Sequence, residues 1–284
     1  MILITGATGN IGREVLNNLL EKGHKVRATA INAEDARRIP ESVQAVIFDF
    51  SNPQTYSTAL TGINKVFLMR PPHITDIEHT LNPFVDVAKS RGVNQIVFLS
   101  LLGVEDNPRV PHYAVEQHIL ESGIPYTFLR PSFFMQDLNT THRQEIAEDS
   151  EIFIPVGDAK TSFIDARDVG AIAAQTLTEG GHTNQAYDLT GPEALNYFQV
   201  AEIFTDVLGR DITFRAPSLP ALIWRTWRRG TPLSFALIMG MLYNATKKGL
   251  ADVVTNQVEY ILGRQPITFR QYVEDYQSAW QKEP

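Results

Sequence analysis

The chain begins with a short apolar run, Ile2-Leu3-Ile4, followed by Thr5-Gly6-Ala7-Thr8-Gly9-Asn10-Ile11-Gly12. Ile11, Val15 and Leu19 then recur at four-residue spacing, and Gly23 stands where that helix should stop. The pattern predicts strand, glycine turn, helix. Strand-like apolar runs return at 26–31, 43–48, 66–69, 95–100 and 126–129. Helical periodicity lies between most of them, including 81–90 and 113–121, with Gly92 and Gly123 as C-terminal stops. Strands this apolar suit a parallel sheet covered on both faces. Right-handed crossovers then give a doubly wound sheet with ligands at the carboxyl ends of its strands.

After Pro131 the rhythm changes. An aromatic-rich segment at 133–138 precedes short strands at 151–155 and 161–164, a helix at 165–177 and another strand at 186–189. Helical patterns follow at 200–208, 219–227, 235–246 and 269–280. The expected architecture is an α/β fold: a Rossmann-type doubly wound parallel sheet in residues 1–150, and a smaller, mostly helical C-terminal lobe in 151–284. The strand at 186–189 is expected to return to the first domain.

Composition narrows the classes. A chain of 284 residues with 43% hydrophobic and 20% charged residues is ordinary for a globular protein. The net charge of −7 leaves no nucleic-acid footprint, and Arg225, Arg228 and Arg229 read as a solvated helix face. With no cysteine, disulfides, thiol nucleophiles and thiolate metal sites are excluded. The seven histidines are scattered, and His112 and His118 fall on different helical faces, so no metal site is expected. No apolar run reaches membrane-spanning length, and with a strand opening the chain a cleaved signal is not expected. The expectation is a cytoplasmic protein acting on a small molecule, with no membrane partner.

The glycine turn carries the first chemistry. Gly6 permits the tight turn, Gly9 lets backbone approach a pyrophosphate, and Gly12 lets helix pack close to strand. Thr8, Asn10 and Ile11 complete the loop, and the helix N-terminus offers free N–H groups to phosphates. The spacing is G-x-x-G-x-x-G at a strand–helix junction, a context that points to dinucleotide binding.

The chain resembles the NmrA-like branch of the atypical short-chain dehydrogenases/reductases. The resemblance rests on Ile4 to Gly12 and on Val115-Glu116 followed by Ser122-Gly123-Ile124-Pro125-Tyr126-Thr127-Phe128-Leu129-Arg130-Pro131. It continues through Phe163-Ile164-Asp165-Ala166-Arg167-Asp168-Val169, Tyr187-Asp188-Leu189-Thr190-Gly191-Pro192-Glu193-Ala194, Leu208-Gly209-Arg210 and Leu262-Gly263-Arg264. It implies a Rossmann fold, a bound nicotinamide nucleotide and a substrate cleft roofed by the C-terminal lobe. The family includes quinone and dye reductases, aromatic-ether reductases and redox sensors that bind nucleotide without turnover.

Nucleotide choice is read at the end of the second strand, where an acid takes the 2′-OH of NAD and an arginine the 2′-phosphate of NADP. Many relatives carry arginine at the position of Ile31; here it is missing and no acid replaces it. Asn32 suits either ribose, while Arg37 and Arg38 are either phosphate ligands or surface charges. The balance leans to NADP(H) over NAD(H). Asp49-Phe50 looks like the family's adenine-flanking pair, the alternative being a core ring and a helix cap. Met69 and Arg70 after the fourth strand, and Pro131 after the sixth, are expected beside the cofactor.

The Tyr-x-x-x-Lys motif of ordinary short-chain dehydrogenases is expected to be absent: its tyrosine position falls near Pro108 and its lysine position near His112. His112, titrating near neutrality, and Tyr113 are the remaining proton-handling candidates, against a cap or surface role. Ser100 either orients a substrate or nicotinamide ribose or simply ends its strand. Phe133, Phe134, Phe163 and Trp224 are candidate substrate contacts, each with a core reading beside it. Together they favour a flat aromatic, quinone-like or carbonyl substrate and a reductase. A non-catalytic redox sensor with a protein partner is the alternative, and a nucleotide-sugar epimerase a third.

Overall fold

A computed structural model describes residues 1–230 and 233–281. In chain order the elements begin with β1 (Ile2–Ile4), α1 (Asn10–Glu21), β2 (Val26–Ala30), α2 (Ala33–Ala36), β3 (Gln44–Ile47) and α3 (Tyr56–Leu60). Next come β4 (Lys65–Met69), α4 (Leu81–Ser90), β5 (Gln95–Leu99), α5 (Pro111–Ser122), β6 (Tyr126–Pro131) and α6 (Gln136–Thr140). They are followed by β7 (Glu151–Phe153), β8 (Lys160–Thr161), α7 (Ala166–Thr178), β9 (Gln185–Leu189), β10 (Leu195–Asn196) and α8 (Tyr197–Leu208). The last are β11 (Thr213–Arg215), α9 (Leu219–Arg228), α10 (Leu233–Lys247), α11 (Gln257–Leu262) and α12 (Phe269–Asp275).

The main sheet has the order β3-β2-β1-β4-β5-β6-β9, and every neighbouring pair runs parallel. This is a Rossmann-type doubly wound sheet. Its order reverses between β1 and β4, so the switch point lies at the carboxyl end of β1, where the glycine turn begins. β1, β2 and β5 are buried along their whole length, which is why they read as mostly apolar runs, with Arg27, Thr29 and Gln95 as buried polar exceptions.

The chain divides into two compact units. The first combines Met1–Pro131 with Ala166–Leu189, and the second combines Ser132–Asp165 with the residues from Thr190 onward. The single sequence cut at 150/151 therefore differs from the observed division at both ends. β9 pairs with β6 through Leu129–Tyr187 and Pro131–Leu189, and α7 packs on α1. Gly170 permits that packing: a Cβ there would lie 2.4 Å from Glu14 Cβ and 2.8 Å from its backbone carbon.

The second unit is helical apart from two small two-stranded sheets, β10-β8 and β11-β7. Its own core includes Phe163, Tyr197, Phe204, Phe269, Tyr272 and Trp280. The strand expected at 161–164 shrinks to β8 and one bridge, Phe134 to Ile164. The helix expected at 269–280 breaks after Asp275 into a separate turn at Gln277–Trp280. Residues 231–232 and 282–284 of the expected C-terminal lobe lie outside the described residues.

Candidate nucleotide-binding site

β1 hands the chain to the glycine turn under tight control. Thr5 Oγ1 donates to the Phe67 carbonyl at 3.1 Å and accepts from the Met69 N–H at 2.8 Å, tying β1 to β4. Gly6 adopts φ +65°, a left-handed conformation suited to glycine, and its N–H reaches Thr29 Oγ1 at 3.2 Å. The Gly9 N–H closes the turn on the Gly6 carbonyl at 3.0 Å.

The glycines differ in what they answer to. A Cβ on Gly12 would sit 2.1 Å from the Gly6 carbonyl oxygen, so the close approach of α1 to the turn needs glycine. A Cβ on Gly9 would meet nothing nearer than 3.4 Å, an ordinary contact, and its backbone is extended at φ −80°. Internal packing does not demand glycine at position 9, and the space beside it is open to a group approaching from outside. Gly9 is also the N-cap of α1 and supplies no side-chain cap, so the first amides of the helix remain open to an anion. Asn10 is exposed at this terminus, Ile11 is buried beneath it, and Met69 reaches over the turn, its ε-carbon lying 2.1 Å from where a Gly6 Cβ would be. These features fit a dinucleotide pyrophosphate.

The ribose side holds a residue that sequence reasoning missed. Ile31 is 56% exposed, and Asn32 caps α2 by accepting the Asp35 N–H at 2.8 Å. The Asp35 carboxylate turns back and accepts from Thr8 Oγ1 at 3.1 Å, the Ile31 N–H at 3.3 Å and Arg38 Nη1 at 3.2 Å. Arg38 Nη2 donates to the Thr8 carbonyl at 3.0 Å. Position 31 itself carries no acid, and the carboxylate that reaches the end of β2 comes from Asp35 on α2. The available signal was Asn32-x-x-Asp35, the spacing of an N-cap and an acid in the first helical turn.

Asp49 and Phe50 behave structurally. Phe50 is 4% exposed and packs edge-on against Phe48 and Phe84 at 4.7 and 5.4 Å, so its ring is a core element and not a free adenine platform. Asp49 Oδ1 accepts from the Ser51 N–H at 2.8 Å, and Asn52, not Asp49, caps the turn at Pro53–Thr55.

At the strand ends, Arg70 is spent on its own loop. Its Nη1 donates to the carbonyls of Pro71, Pro72 and Ile74 at 3.0, 3.1 and 2.6 Å, and its Nε lies 3.5 Å from His112 Nε2. Burial, aided by the nearby Arg70 charge, pushes the His112 imidazole down to about 3. The expected titration near neutrality is corrected: His112 is a neutral imidazole at physiological pH. The Arg70 bond favours a proton on Nδ1, and that nitrogen is buried without a hydrogen-bond partner. Ser100 Oγ, just past β5, is likewise buried and unpaired. The proton-handling candidate His112 and the orienting candidate Ser100 thus both carry a buried side-chain atom without a partner. Tyr113 is half-buried in the first turn of α5, and Pro131 ends β6, accepting the Leu102 N–H at 3.0 Å.

Of the four substrate candidates, Phe133 and Phe134 lie on the segment bridged to Ile164, beside Phe163. Phe163 is 3% exposed and packs on Tyr197 and Phe269, which makes it core. Trp224 is 56% exposed with Arg228 over its ring at 4.8 Å. Phe133 and Phe134 are half-buried. Arg225 and Arg229, expected on a solvated face, instead bind Asp149, at 2.8 and 2.5 Å.

Sequence reading also missed a buried chain in the second unit. His142 Nδ1 lies 3.1 Å from Glu145 and its Nε2 2.5 Å from the Tyr243 hydroxyl. His142 and Glu145 border a cavity of about 90 Å³ together with Leu222, Arg229 and Met239. The expected absence of Tyr-x-x-x-Lys is a further correction, because Tyr243 and Lys247 spell it on α10. Its geometry differs from a proton relay: Tyr243 is buried against His142, and Lys247 is exposed.

Comparison with known proteins decides the family. The profile of the NmrA-like family matches residues 1–237. The chain belongs to the NmrA-like family. An NAD(P)H azoreductase of Xenophilus azovorans is 35% identical over 285 residues, covering 99% of each chain. Agroclavine dehydrogenase of Claviceps fusiformis is 30% identical, covering 98% of each. The triphenylmethane reductase of Citrobacter sp., solved with NADP(H), superposes with a TM-score of 0.88 at 25% identity, covering 97% of this chain and 99% of that one. Among the described residues, no helix of this family member is long and apolar enough to cross a membrane.

Proposed function

We propose that the chain is an NAD(P)H-dependent reductase that delivers hydride to a small aromatic, quinone-like or carbonyl acceptor, with NADP(H) preferred over NAD(H). The observation that carries this reading is the Gly6–Gly12 turn, whose Gly9 leaves room that internal packing does not require. Relatives named as an azoreductase, a dehydrogenase and a dye reductase support it.

The reduced nicotinamide supplies the hydride when bound. The turn amides and the N-terminus of α1 hold the pyrophosphate, with Thr8 and Asn10 alongside. Met69 and the Arg70-stiffened loop shape the strand ends. Ser100 Oγ and His112 Nδ1, buried without partners, are the polar groups for an acceptor or the nicotinamide ribose. A neutral imidazole donates a hydrogen bond but is a weak acid, which suits acceptors whose reduced form is stabilised by delocalisation. Tyr113 remains a secondary candidate. Phe133 and Phe134 are the retained apolar substrate contacts; Phe163 and Trp224 are not.

The test is oxidation of NADPH and NADH with quinones, azo dyes and aldehydes, for the wild type and His112→Ala. Because His112 acts as a hydrogen-bond donor and not as an acid, carbonyl acceptors should slow by about 10-fold, with quinones less affected. The wild-type rate should show no ionisation near pH 6.5, because His112 is already neutral there. Tight nucleotide binding with no turnover of any acceptor would favour the sensor reading.

A further inference from the structure

The pairing of Asp35 with Arg38 is an unusual feature of the nucleotide-side surface. A carboxylate and a guanidinium meet at one point, at the junction of the β2 end and the glycine turn. Asp35 gathers the Thr8 hydroxyl, the Ile31 amide and Arg38, while Arg38 also holds the Thr8 carbonyl. Both side chains thus grip residues flanking the place where a Rossmann site receives the adenosine ribose.

We propose that Asp35 and Arg38 together form the ribose selector of this chain, Asp35 reading the 2′-hydroxyl of NAD(H) and Arg38 the 2′-phosphate of NADP(H). The inference rests on the cofactor reading above. Asp35 accepts three protein donors and keeps acceptor capacity for a hydroxyl. Arg38 spends one N–H on Asp35 and one on Thr8 and keeps others for phosphate oxygens. Each partner limits the other. Asp35 neutralises part of the Arg38 charge and repels a 2′-phosphate, so NADP(H) gains less than from an unpaired arginine. Arg38 occupies one side of Asp35, so NAD(H) gains less than from an isolated carboxylate. Both nucleotides are therefore accepted, at a ratio set by this pair.

Position also separates Arg38 from its neighbour. Arg37 is the C-cap of α2, with no described side-chain bond to Thr8 or Asp35. The selector side chains differ in exposure, with 17% of Asp35 and 55% of Arg38 accessible. The carboxylate is fixed within the loop, and the guanidinium is open to an incoming phosphate.

The test is calorimetric binding of NADPH, NADH, adenosine 2′,5′-bisphosphate and adenosine 5′-monophosphate. The proteins are the wild type, Arg38→Ala, Arg38→Lys, Asp35→Asn and Arg37→Ala. Arg38→Ala should weaken NADPH and the bisphosphate by about 10- to 100-fold, leaving NADH and the monophosphate within about 3-fold. Arg38→Lys should recover part of the loss, keeping the charge without the planar fork. Asp35→Asn should shift the ratio the opposite way, weakening NADH while NADPH holds or tightens. Arg37→Ala should leave the ratio unchanged. Circular dichroism checks folding, and the two Arg38 variants keep the question decidable if Asp35→Asn unfolds. Binding to every variant at an unchanged NADPH-to-NADH ratio would overturn the selector while leaving the cofactor reading intact. Transfer of the selectivity to Arg37 would overturn it as well. Failure of the wild type to bind any of the four ligands would remove the cofactor reading and the selector together.

Discussion

His112 shows how one buried residue links geometry to pH. Its imidazole is pushed down to about 3 by burial and the Arg70 charge, whereas an unfolded histidine titrates near 6.5. Between those values the unfolded chain binds a proton that the folded chain refuses. Stability therefore rises with pH in that window, is fully present above pH ~6.5, and is lost as pH falls. The expected loss between pH 7 and pH 5 is about 2 kcal/mol from this group alone. Denaturant midpoints of wild type and His112→Gln over that range check it: the variant should lose less on acidification, and parallel curves would contradict the assignment. Residue-level legibility was uneven for a physical reason. Gly6 and Gly12 are readable because backbone conformation at the one and close approach at the other restrict the residue type. The core position of Phe50 and the return of Asp35 toward Thr8 depend on side-chain direction, which periodicity does not encode.

Among elements, the strands were readable because β1, β2 and β5 are buried on both faces, so most of their residues are apolar and the polar ones, such as Arg27 and Gln95, are hydrogen-bonded within the fold. The helix stops were readable too: Gly123 caps α5 in the left-handed conformation. What sequence did not reveal was ownership. The segment 132–165 contains short, irregular elements, and its membership in the second unit follows from contacts such as Ser162 N–H to the Ala251 carbonyl at 2.7 Å and the pairing of β7 with β11. α7 returns to the first unit because Gly170 lets it lie directly on Glu14 and Val15 of α1. Gly170→Ala should force these helices apart and cost about 1–3 kcal/mol, as overpacking does. Gly180, just past α7, has nothing within 4 Å of a built Cβ, so Gly180→Ala should be near neutral. Chemical denaturation of the two variants supplies the comparison; equal stabilities would mean that the α1–α7 contact yields without strain.

For the whole molecule, the glycine turn predicts a coupling between ligand and stability. Each unit has its own apolar core, and the proposed pyrophosphate cradle lies wholly in the first. A ligand bound only by the folded state adds about 2.7 kcal/mol at a hundred times its dissociation constant. For a chain of 284 residues that raises the thermal midpoint by roughly 4–5 °C. Gly9→Val isolates the site from the fold. Its Cβ meets only ordinary contacts inside the protein, although a branched N-cap weakens α1 by up to about 1 kcal/mol. That cost falls equally on free and loaded protein, so it cancels when the NADPH-induced increment is measured. The added methyl groups would instead meet the approaching phosphate, so the variant should bind at least about 10-fold more weakly, a loss of ~1.4 kcal/mol. Scanning calorimetry at a fixed NADPH concentration should therefore show a smaller ligand-induced increment in Gly9→Val than in the wild type. An increment of undiminished size in a folded Gly9→Val protein would show that NADPH binds elsewhere than over this turn.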